Sequence, residues 1–492
     1  MKVGKQAISE SEAQALSESF SGRLGPKGVL CDRDALAPYL IESRGLVTGW
    51  TPFMVMPANT DEVVACIQLA REHGVSLVPQ GGNTSRVGGA LSLAEDRSVL
   101  LNLHRMDHIR SLDPLDNAVT VEAGCVLASL QKAAADADRL FPLSLGAEGS
   151  CQIGGNLATN AGGIHVLRYG NMRDLVLGLE VVLPDATVWS SLGALRKDNT
   201  GYDLKHLFLG SEGSLGIITA ATLKLFPRPL ESVSAFVGLS SLDASVEILA
   251  RARRDTGDAL IACELIPRMA IDLSLAHMSG AVDPLSTPHE WYLLMEATAG
   301  RTDSNLRDAL EATLGAGLDQ GLIVDGTLAA SEAQARAFWR LREILVEAQV
   351  REGASIKHDI SVPTSRVPDF IRQANRAVEA LVPGIRPYPF GHIGDGNIHY
   401  NLTQPKDMTA EAFRAEAPAI HRSVHDITHD LGGSISAEHG IGRFKVRENI
   451  RYKSPVELAL MQKIKDVLDP DGLMNPGVIL PSEKPRPESG SG

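Results

Sequence analysis

The sequence predicts an α+β protein with more than one domain, and three observations carry that reading. The chain has 492 residues, room for roughly three domains of about 150 residues or two large ones. Its first half holds a β-α-β pattern followed by a β-rich stretch, and residues 230–403 alternate strand-like runs with helical segments. Its 46 glycines concentrate in short blocks around 81–89, 146–163 and 210–216, which marks tight backbone approach in the first half.

In chain order, FMVM at 53–56 reads as a strand, Thr60 as a helix N-cap with Asp61 and Glu62 in the first turn, and Gly74 as the stop. VSLVP at 75–79 is the next strand, and it runs into PQGGNTSRVGG. The β-rich stretch ends in GIITAATLKLFP, 216–227, and Pro227, Arg228 and Pro229 mark a boundary. The runs VSAFVGL, LIACELI, WYLLMEA and LIVDGTL then alternate with helices at 242–256 and 331–352. The expected organisation is an N-terminal segment at 1–51, a first domain at 52–229, a second at 230–403, a mainly helical segment at 404–481 and a coreless, disordered tail at 482–492.

Composition narrows the function classes. With 44% hydrophobic and 22% charged residues, the chain has ordinary soluble globular character. A net charge of −13 repels phosphate backbones and anionic membrane surfaces, which argues against a nucleic-acid partner. No stretch reaches the roughly 18 consecutive apolar residues of a membrane span, and MKVGKQAISESEAQ has no apolar h-region, so the expected location is cytoplasmic. Cys31, Cys66, Cys125, Cys151 and Cys263 are odd in number, scattered and without a C-x-x-C pair, which fits a reducing compartment.

Backbone N–H groups in successive Gly-rich turns can converge on a phosphate. Asn83, Thr84 and Ser85 add short polar side chains. Three such blocks suit an extended anionic cofactor, although each alone also reads as turns between strands. Neither a P-loop nor a G-x-G-x-x-G opening a helix is present, which disfavours nucleoside triphosphates and a Rossmann site.

PQGGNTSRVGG (79–89), LGAEGSCQIGGNLATNAGG (145–163) and NTGYDLKHLFLGSEGSLGI (199–217) resemble the flavin-binding segments of the vanillyl-alcohol oxidase type, PCMH-fold flavoproteins. The likeness extends over nearly all of 52–481 and is greatest to the D-2-hydroxyglutarate dehydrogenase branch, with its D-lactate- and glycolate-oxidising relatives. It implies a PCMH-type, two-subdomain FAD-binding domain, an α+β substrate domain with an antiparallel sheet, and a helical C-terminal segment. FAD contacts are implied at Pro79, Gln80, Gly81, Gly82, Asn83, Thr84 and Ser85. Further contacts are implied at Gly149, Ser150, Gly154, Gly155, Asn156, Thr159, Asn160 and Gly163, and at Glu212, Gly213, Gly216 and Ile217. Relatives that tether flavin covalently often use a His in the first loop; Asn83 stands there, so dissociable FAD is expected.

Six of the 14 histidines lie beyond position 391. If GDGN at 394–397 is a four-residue hairpin loop, Ile393 opposes Ile398 and His392 opposes His399, with both imidazoles on one face about 5 Å apart at Cβ. Glu438 in SAEHGIG can add a carboxylate. Two His and one carboxylate with an open position suit Zn²⁺, or Mn²⁺ or Fe²⁺. A His pair across strands can equally be a packed or surface pair. The resemblance favours the metal on His392, His399 and Glu438 and makes His439 the catalytic base. His421, His425 and His429, at i, i+4, i+8 of a helix, are expected to be structural or solvated.

Arg342 shares a helical stripe with Phe338, Trp339, Leu345 and Val346. A guanidinium there needs an anion, either an internal carboxylate or a substrate carboxylate. The resemblance makes Arg342, Lys357 and Asn401 substrate contacts; Val346 stands where relatives carry Thr one turn after the Arg, so one polar contact is missing. The implied activity is FAD- and metal-dependent oxidation of D-2-hydroxyglutarate to 2-oxoglutarate, with hydride passing from C2 to flavin N5. An electron-transfer flavoprotein or quinone-linked chain is the implied acceptor, and a homodimer the implied assembly. The alternatives are D-lactate or glycolate oxidation and a non-redox flavin transferase resembling alkylglycerone-phosphate synthase; a flavin-free metal hydrolase is the third.

Overall fold

The structure, a computed structural model, describes residues 8–482, so the tail expected at 482–492 lies, beyond Ser482, outside the described residues. The chain divides into two compact units. The first takes the described residues up to Ala161, then 171–227 and the described residues from Glu438 onward; the second takes Gly162–Gly170 and Arg228–Ala437. The 404–481 stretch is therefore shared. Ile420 and Val424 join the second unit's core, whereas Leu473 and Met474 join that of the first, where Leu77 N donates to Leu473 O at 2.9 Å.

In the first unit, β1 (Val29–Leu30), β2 (Met54–Val55), β3 (Ser76–Gln80) and β4 (Ser98–Asn102) form a sheet in the order β1-β2-β4-β3. The expected β-α-β unit is present, but β4 sits between its two strands and runs parallel to both. The crossover helix, Thr60–Glu72, buries Val63, Cys66, Ile67 and Ala70 at helical spacing against Phe53, Val55, Leu77 and Val99. Its N-cap is Asn59, whose Oδ1 accepts from Glu62 N at 2.9 Å. The expected cap, Thr60, donates its hydroxyl to Glu180 at 2.8 Å.

Strands β5 (Ile109–Asp113), β6 (Ala118–Glu122), β8 (Val176–Val182), β9 (Val188–Ser191) and β10 (Ile217–Lys224) make a second, antiparallel sheet in the order β5-β6-β10-β8-β9. β7 (Arg139–Leu140) pairs with β11 (Phe226–Pro227).

The second unit is a seven-stranded sheet of β12 (Glu231–Leu239), β13 (Leu260–Pro267), β14 (Trp291–Ala299), β15 (Ile323–Leu328), β16 (Ser355–Ser361), β17 (Arg386–His392) and β18 (Asn397–Thr403). Every pairing is antiparallel, in the order β15-β12-β14-β13-β17-β18-β16. Side chains alternate between faces. Ile266, Tyr292, Leu294, Tyr388 and Phe390 pack with the helices Arg268–His277 and Glu332–Val350 through Ile271, Phe338, Leu341 and Leu345. Ile356, Ile360, Tyr400 and Leu402 meet the other face's helices through Phe370, Val378, Ile420 and Val424. No helix of the described residues is long and apolar enough to cross a membrane.

Candidate active site

Strand parity builds the site. Glu264 on β13 pairs with His392 on β17, Phe390 of β17 with His399 on β18, and Asp359 on β16 with the same His399. Lys357 of β16 and Tyr388 of β17 both pair with Asn401 of β18. With a period of two, Glu264, His392, His399, Asp359, Lys357 and Asn401 share one face of the sheet.

The hairpin register differs from the sequence expectation. His399 faces Phe390 instead of His392, because the loop spans 393–396 and contains a 3₁₀ turn, Ile393–Asp395, closed by Gly396 at φ +80°. A Cβ on Gly396 would meet Val362 O at 2.0 Å, so the turn requires glycine. A two-residue shift preserves parity. The two imidazoles therefore stay on one face, with ring centroids 5.4 Å apart at an interplanar angle of 76°.

Glu264, which sequence reasoning missed, organises this face. It is fully buried; its Oε1 accepts from His392 Nδ1 at 2.5 Å and its Oε2 from Arg342 Nε at 2.5 Å. Burial pushes its carboxyl upward, but the Arg342 guanidinium and His392 outweigh that and hold it down at about 2. Because Nδ1–H of His392 is committed to Glu264, Nε2 is the nitrogen its neutral ring would offer a ligand, the orientation in which a buried imidazole acts on a metal. The signal was available: Glu264 is the only charged residue in the buried strand LIACELIP. Arg342 thus has the internal carboxylate as its partner through Nε, and its guanidinium lies 4.8 Å from the Phe390 ring centroid.

Asp359, also missed, is buried, accepts from Asn397 Nδ2 at 3.0 Å and lies 3.9 Å from His399 Nδ1. Buried Asn401 donates to Gln349 Oε1 at 2.9 Å, and Gln349 donates to Thr403 Oγ1 at 3.0 Å. Lys357 is half-buried beside Asn401 in register. Ala437 N donates to the Asp359 carbonyl at 3.3 Å, which ties the start of the SAEHGIG loop to β16. Glu438 and His439 follow, both half-buried.

In the first unit the loop after β3 is a cradle of backbone donors. Among the described residues, the N–H groups of residues 81–86 donate to no protein acceptor. A Cβ on Gly82 would strike Ser150 O at 2.0 Å, so the first and second glycine blocks meet here. Side chains expected to reach the cofactor are largely committed within the protein. Gln80 Nε2 donates to Tyr39 O and Ala90 O, Asn83 Nδ2 to Ile41 O, Asn156 Nδ2 to Cys151 Sγ, and Thr159 Oγ1 to Gly155 O. Asn160 Oδ1 accepts from Arg173 N, Ser150 Oγ donates to Ala147 O, and Ser85 Oγ accepts from Val87 N. Gly154 packs on Ala123, Gly213 on Pro79 and Gly216 on Val181; Ile217 is core, and Gly149 and Gly155 border open space. Gly163 belongs to the second unit. Main-chain N–H groups, half-buried Thr84, and the donors those bonds leave, Ser85 Oγ–H and Asn160 Nδ2, suit an anionic ligand such as a pyrophosphate.

Glu212 also anchors a loop. Its carboxylate accepts from Ile441 N and Gly442 N, both at 2.8 Å, and so holds the far end of the SAEHGIG loop. Burial pushes its carboxyl up to about 7 against those two donors.

The family model described as FAD linked oxidases, C-terminal domain, matches residues 228–479, and the FAD binding domain matches 51–191. The chain is 39% identical over 463 residues to mitochondrial D-2-hydroxyglutarate dehydrogenase of Arabidopsis thaliana, covering 94% of this chain and 81% of the relative. It is 37% identical to the mitochondrial D-2-hydroxyglutarate dehydrogenase of Bos taurus, covering 96% and 84%, and 35% identical to the D-2-hydroxyglutarate dehydrogenase of Stutzerimonas stutzeri, covering 94% and 98%. Among solved structures, p-cresol methylhydroxylase matches at a TM-score of 0.76 with 17% identity, over 96% of this chain and 98% of that one. The 4-ethylphenol oxidase of Gulosibacter chungangensis matches at 0.75 with 19% identity, over 97% and 99%. These structural likenesses speak to the fold, which is the α+β, PCMH-type architecture expected. The cytoplasmic expectation is overturned by the relatives named mitochondrial; a missing h-region speaks of secretion and is silent on organelles. The chain is an oxidoreductase with an FAD-binding domain, and it belongs to the D-2-hydroxyglutarate dehydrogenase family of FAD-linked oxidases.

Proposed function

We propose that the protein oxidises D-2-hydroxyglutarate to 2-oxoglutarate with FAD and a divalent metal ion, Zn²⁺ or Mn²⁺. The observation that carries the reading is Glu264, which joins His392 Nδ1 to Arg342 Nε and so couples a ligand-ready imidazole to a carboxylate-binding guanidinium. His392, His399 and Glu438 are the ligands in this reading, supported by the shared face of the two imidazoles and by the anchoring of Ala437 on β16. The metal, when bound, acidifies the substrate's 2-hydroxyl, and FAD, held by the main-chain cradle of residues 81–86, supplies at N5 the acceptor for the C2 hydride.

This chain's own residues then position the acid and move the proton. His439 accepts the hydroxyl proton on a ring nitrogen, a task suited to an imidazole near neutral pH. Arg342 grips a carboxylate through its Nη groups, since Nε is engaged by Glu264. Lys357 and Asn401, partners across β16 and β18, take the distal carboxylate. Electrons leave to an electron-transfer flavoprotein or a quinone-linked acceptor, and the enzyme works as a homodimer.

The test is anaerobic mixing of the purified flavoprotein with D- and L-2-hydroxy acids, before and after chelation. D-2-hydroxyglutarate should bleach the flavin rapidly, the L-enantiomer should not, and chelation should abolish the response until metal is restored. A flavin that stays yellow with every acid refutes dehydrogenation and favours a transferase on the same fold. Bleaching that survives complete chelation removes the metal from the scheme.

A further inference from the structure

Three imidazoles gather on the opposite face of the same sheet. His358, between Lys357 and Asp359 on β16, points the other way from them and reaches the helix Ala417–Asp430, where His421 and His425 lie one turn apart. His358 and His425 are buried, at 4% and 5% exposure, and His421 is half-buried. The His421 and His425 rings stack at 5.9 Å and 20°, and the His358 ring stands nearly perpendicular to both, 4.7 and 5.7 Å away. One ring nitrogen from each lies within 4.8 Å of the others.

The His358 tautomer is set by its backbone neighbour. His358 Nδ1 is 2.9 Å from the Tyr400 carbonyl oxygen, so it carries the proton and leaves a lone pair on Nε2, which accepts from His421 Nδ1 2.8 Å away; an ion bound there takes the place of that His421 proton, which moves to Nε2 of the same ring. A hydrogen bond from a ligand's other ring nitrogen to a carbonyl is the support that metal-binding histidines use. Two nitrogens bound to one tetrahedral ion at about 2.0–2.1 Å lie about 3.3 Å apart. The His358–His421 pair therefore needs to open by only about half an ångström to admit an ion.

We propose that His358, His421 and His425 form a second metal site, for a divalent transition ion of the Zn²⁺ or Co²⁺ class with its fourth position taken by water. An all-imidazole set selects such ions over Mg²⁺ and Ca²⁺, which take oxygen ligands. The site has a structural use. β16 is the sheet's edge strand, and an ion on His358 clamps it to the Ala417–Asp430 helix from behind the face that bears Lys357 and Asp359. The proposal stands independently of the substrate reading.

The test is Co²⁺ titration of the metal-stripped flavoprotein, read by visible d–d bands and by metal content after desalting. In a His392→Asn background, which leaves this cluster intact, the protein should still take up one equivalent of Co²⁺ in a low-coordinate, strongly absorbing form. Adding His421→Gln or His425→Gln should weaken that uptake at least about tenfold, while flavin content and the far-ultraviolet dichroism stay unchanged. Uptake by His392→Asn that is indifferent to both Gln substitutions overturns the site, and so does the absence of any uptake. The His392→Asn arm does not disturb the cluster, so a folding failure of either Gln variant leaves the proposal exposed to refutation.

Discussion

Glu264→Gln is the most informative single substitution. Glu264 is fully buried and spends one carboxylate oxygen on His392 and the other on Arg342. The glutamine oxygen still accepts from His392 Nδ1, but its amide NH₂ then faces the Arg342 guanidinium, and a buried cation loses its counter-charge. Breaking a buried pair from one side costs about 3–5 kcal/mol. The carboxyl's own displacement gives the same scale, since the distance from 4.5 down to about 2 corresponds to about 3 kcal/mol. For a unit of this size that is a fall of about 6–20 °C in the thermal transition of the second unit, followed by calorimetry with the two units' transitions resolved. Arg342→Met in the same chain should return much of the loss, because it removes the unpaired charge and leaves only a neutral amide unsatisfied. The pH dependence carries the sign. A carboxyl held low in the folded state stabilises above 4.5 and loses that contribution as pH falls towards 2, with about 2 kcal/mol gone by pH 3. The variant should lack this part of the acid destabilisation. A transition within about 1 kcal/mol of wild type, or a double variant no more stable than the single one, refutes the charge argument.

The remaining predictions address the other contacts. Glu212→Gln should flatten the pH dependence of the first unit: a carboxyl raised to about 7 by burial gives stability that is complete below 4.5 and lost as pH rises through about 7, so wild type should soften between pH 5 and 8 and the variant should not. Gly82→Ala places a Cβ 2.0 Å from Ser150 O; displacement of the cradle should lower the flavin retained after gel filtration, read as the ratio of flavin to protein absorbance, while the second unit's melting transition stays unchanged. Lys357→Ala should lower kcat/KM for D-2-hydroxyglutarate by about 10²-fold or more and leave D-lactate within a few-fold, since only the five-carbon diacid presents a distal carboxylate; equal losses on both acids count against the proposed specificity.

How much of this was legible in the sequence depends on whether the physics is local. Strands such as WYLLMEA and LIACELI and the helix stripe around Phe338 are local hydrophobic patterns, and they appear where periodicity puts them. The hairpin register was not local. The 3₁₀ turn and Gly396 displaced it by two residues, yet the imidazoles kept their common face because a shift by two cannot change which side of a pleated strand a residue occupies. Asn59 displaced Thr60 as a cap because the threonine hydroxyl found Glu180, 120 residues away, and no window around the helix contains that partner. Arg342 shows the same limit. The sequence requires an anion for it, but whether that anion is internal depends on the helix Glu332–Val350 packing over the face of β13 that bears Glu264, a fact of tertiary packing. Glu264 marks where pattern reading could have gone further: one charge among eight buried strand residues must be paired, and Arg342 on its apolar stripe needs an anion. The same strand parity explains why His358 and His399 on neighbouring strands serve opposite faces. Tyr400 is the register partner of His358 and His399 that of Asp359, so adjacent residues of one edge strand divide between two clusters of imidazoles. If both clusters hold ions, β16 is gripped from behind at His358, the residue between Lys357 and Asp359. Loosening the rear clamp should then change the positioning of Lys357 without removing any group that touches the acid.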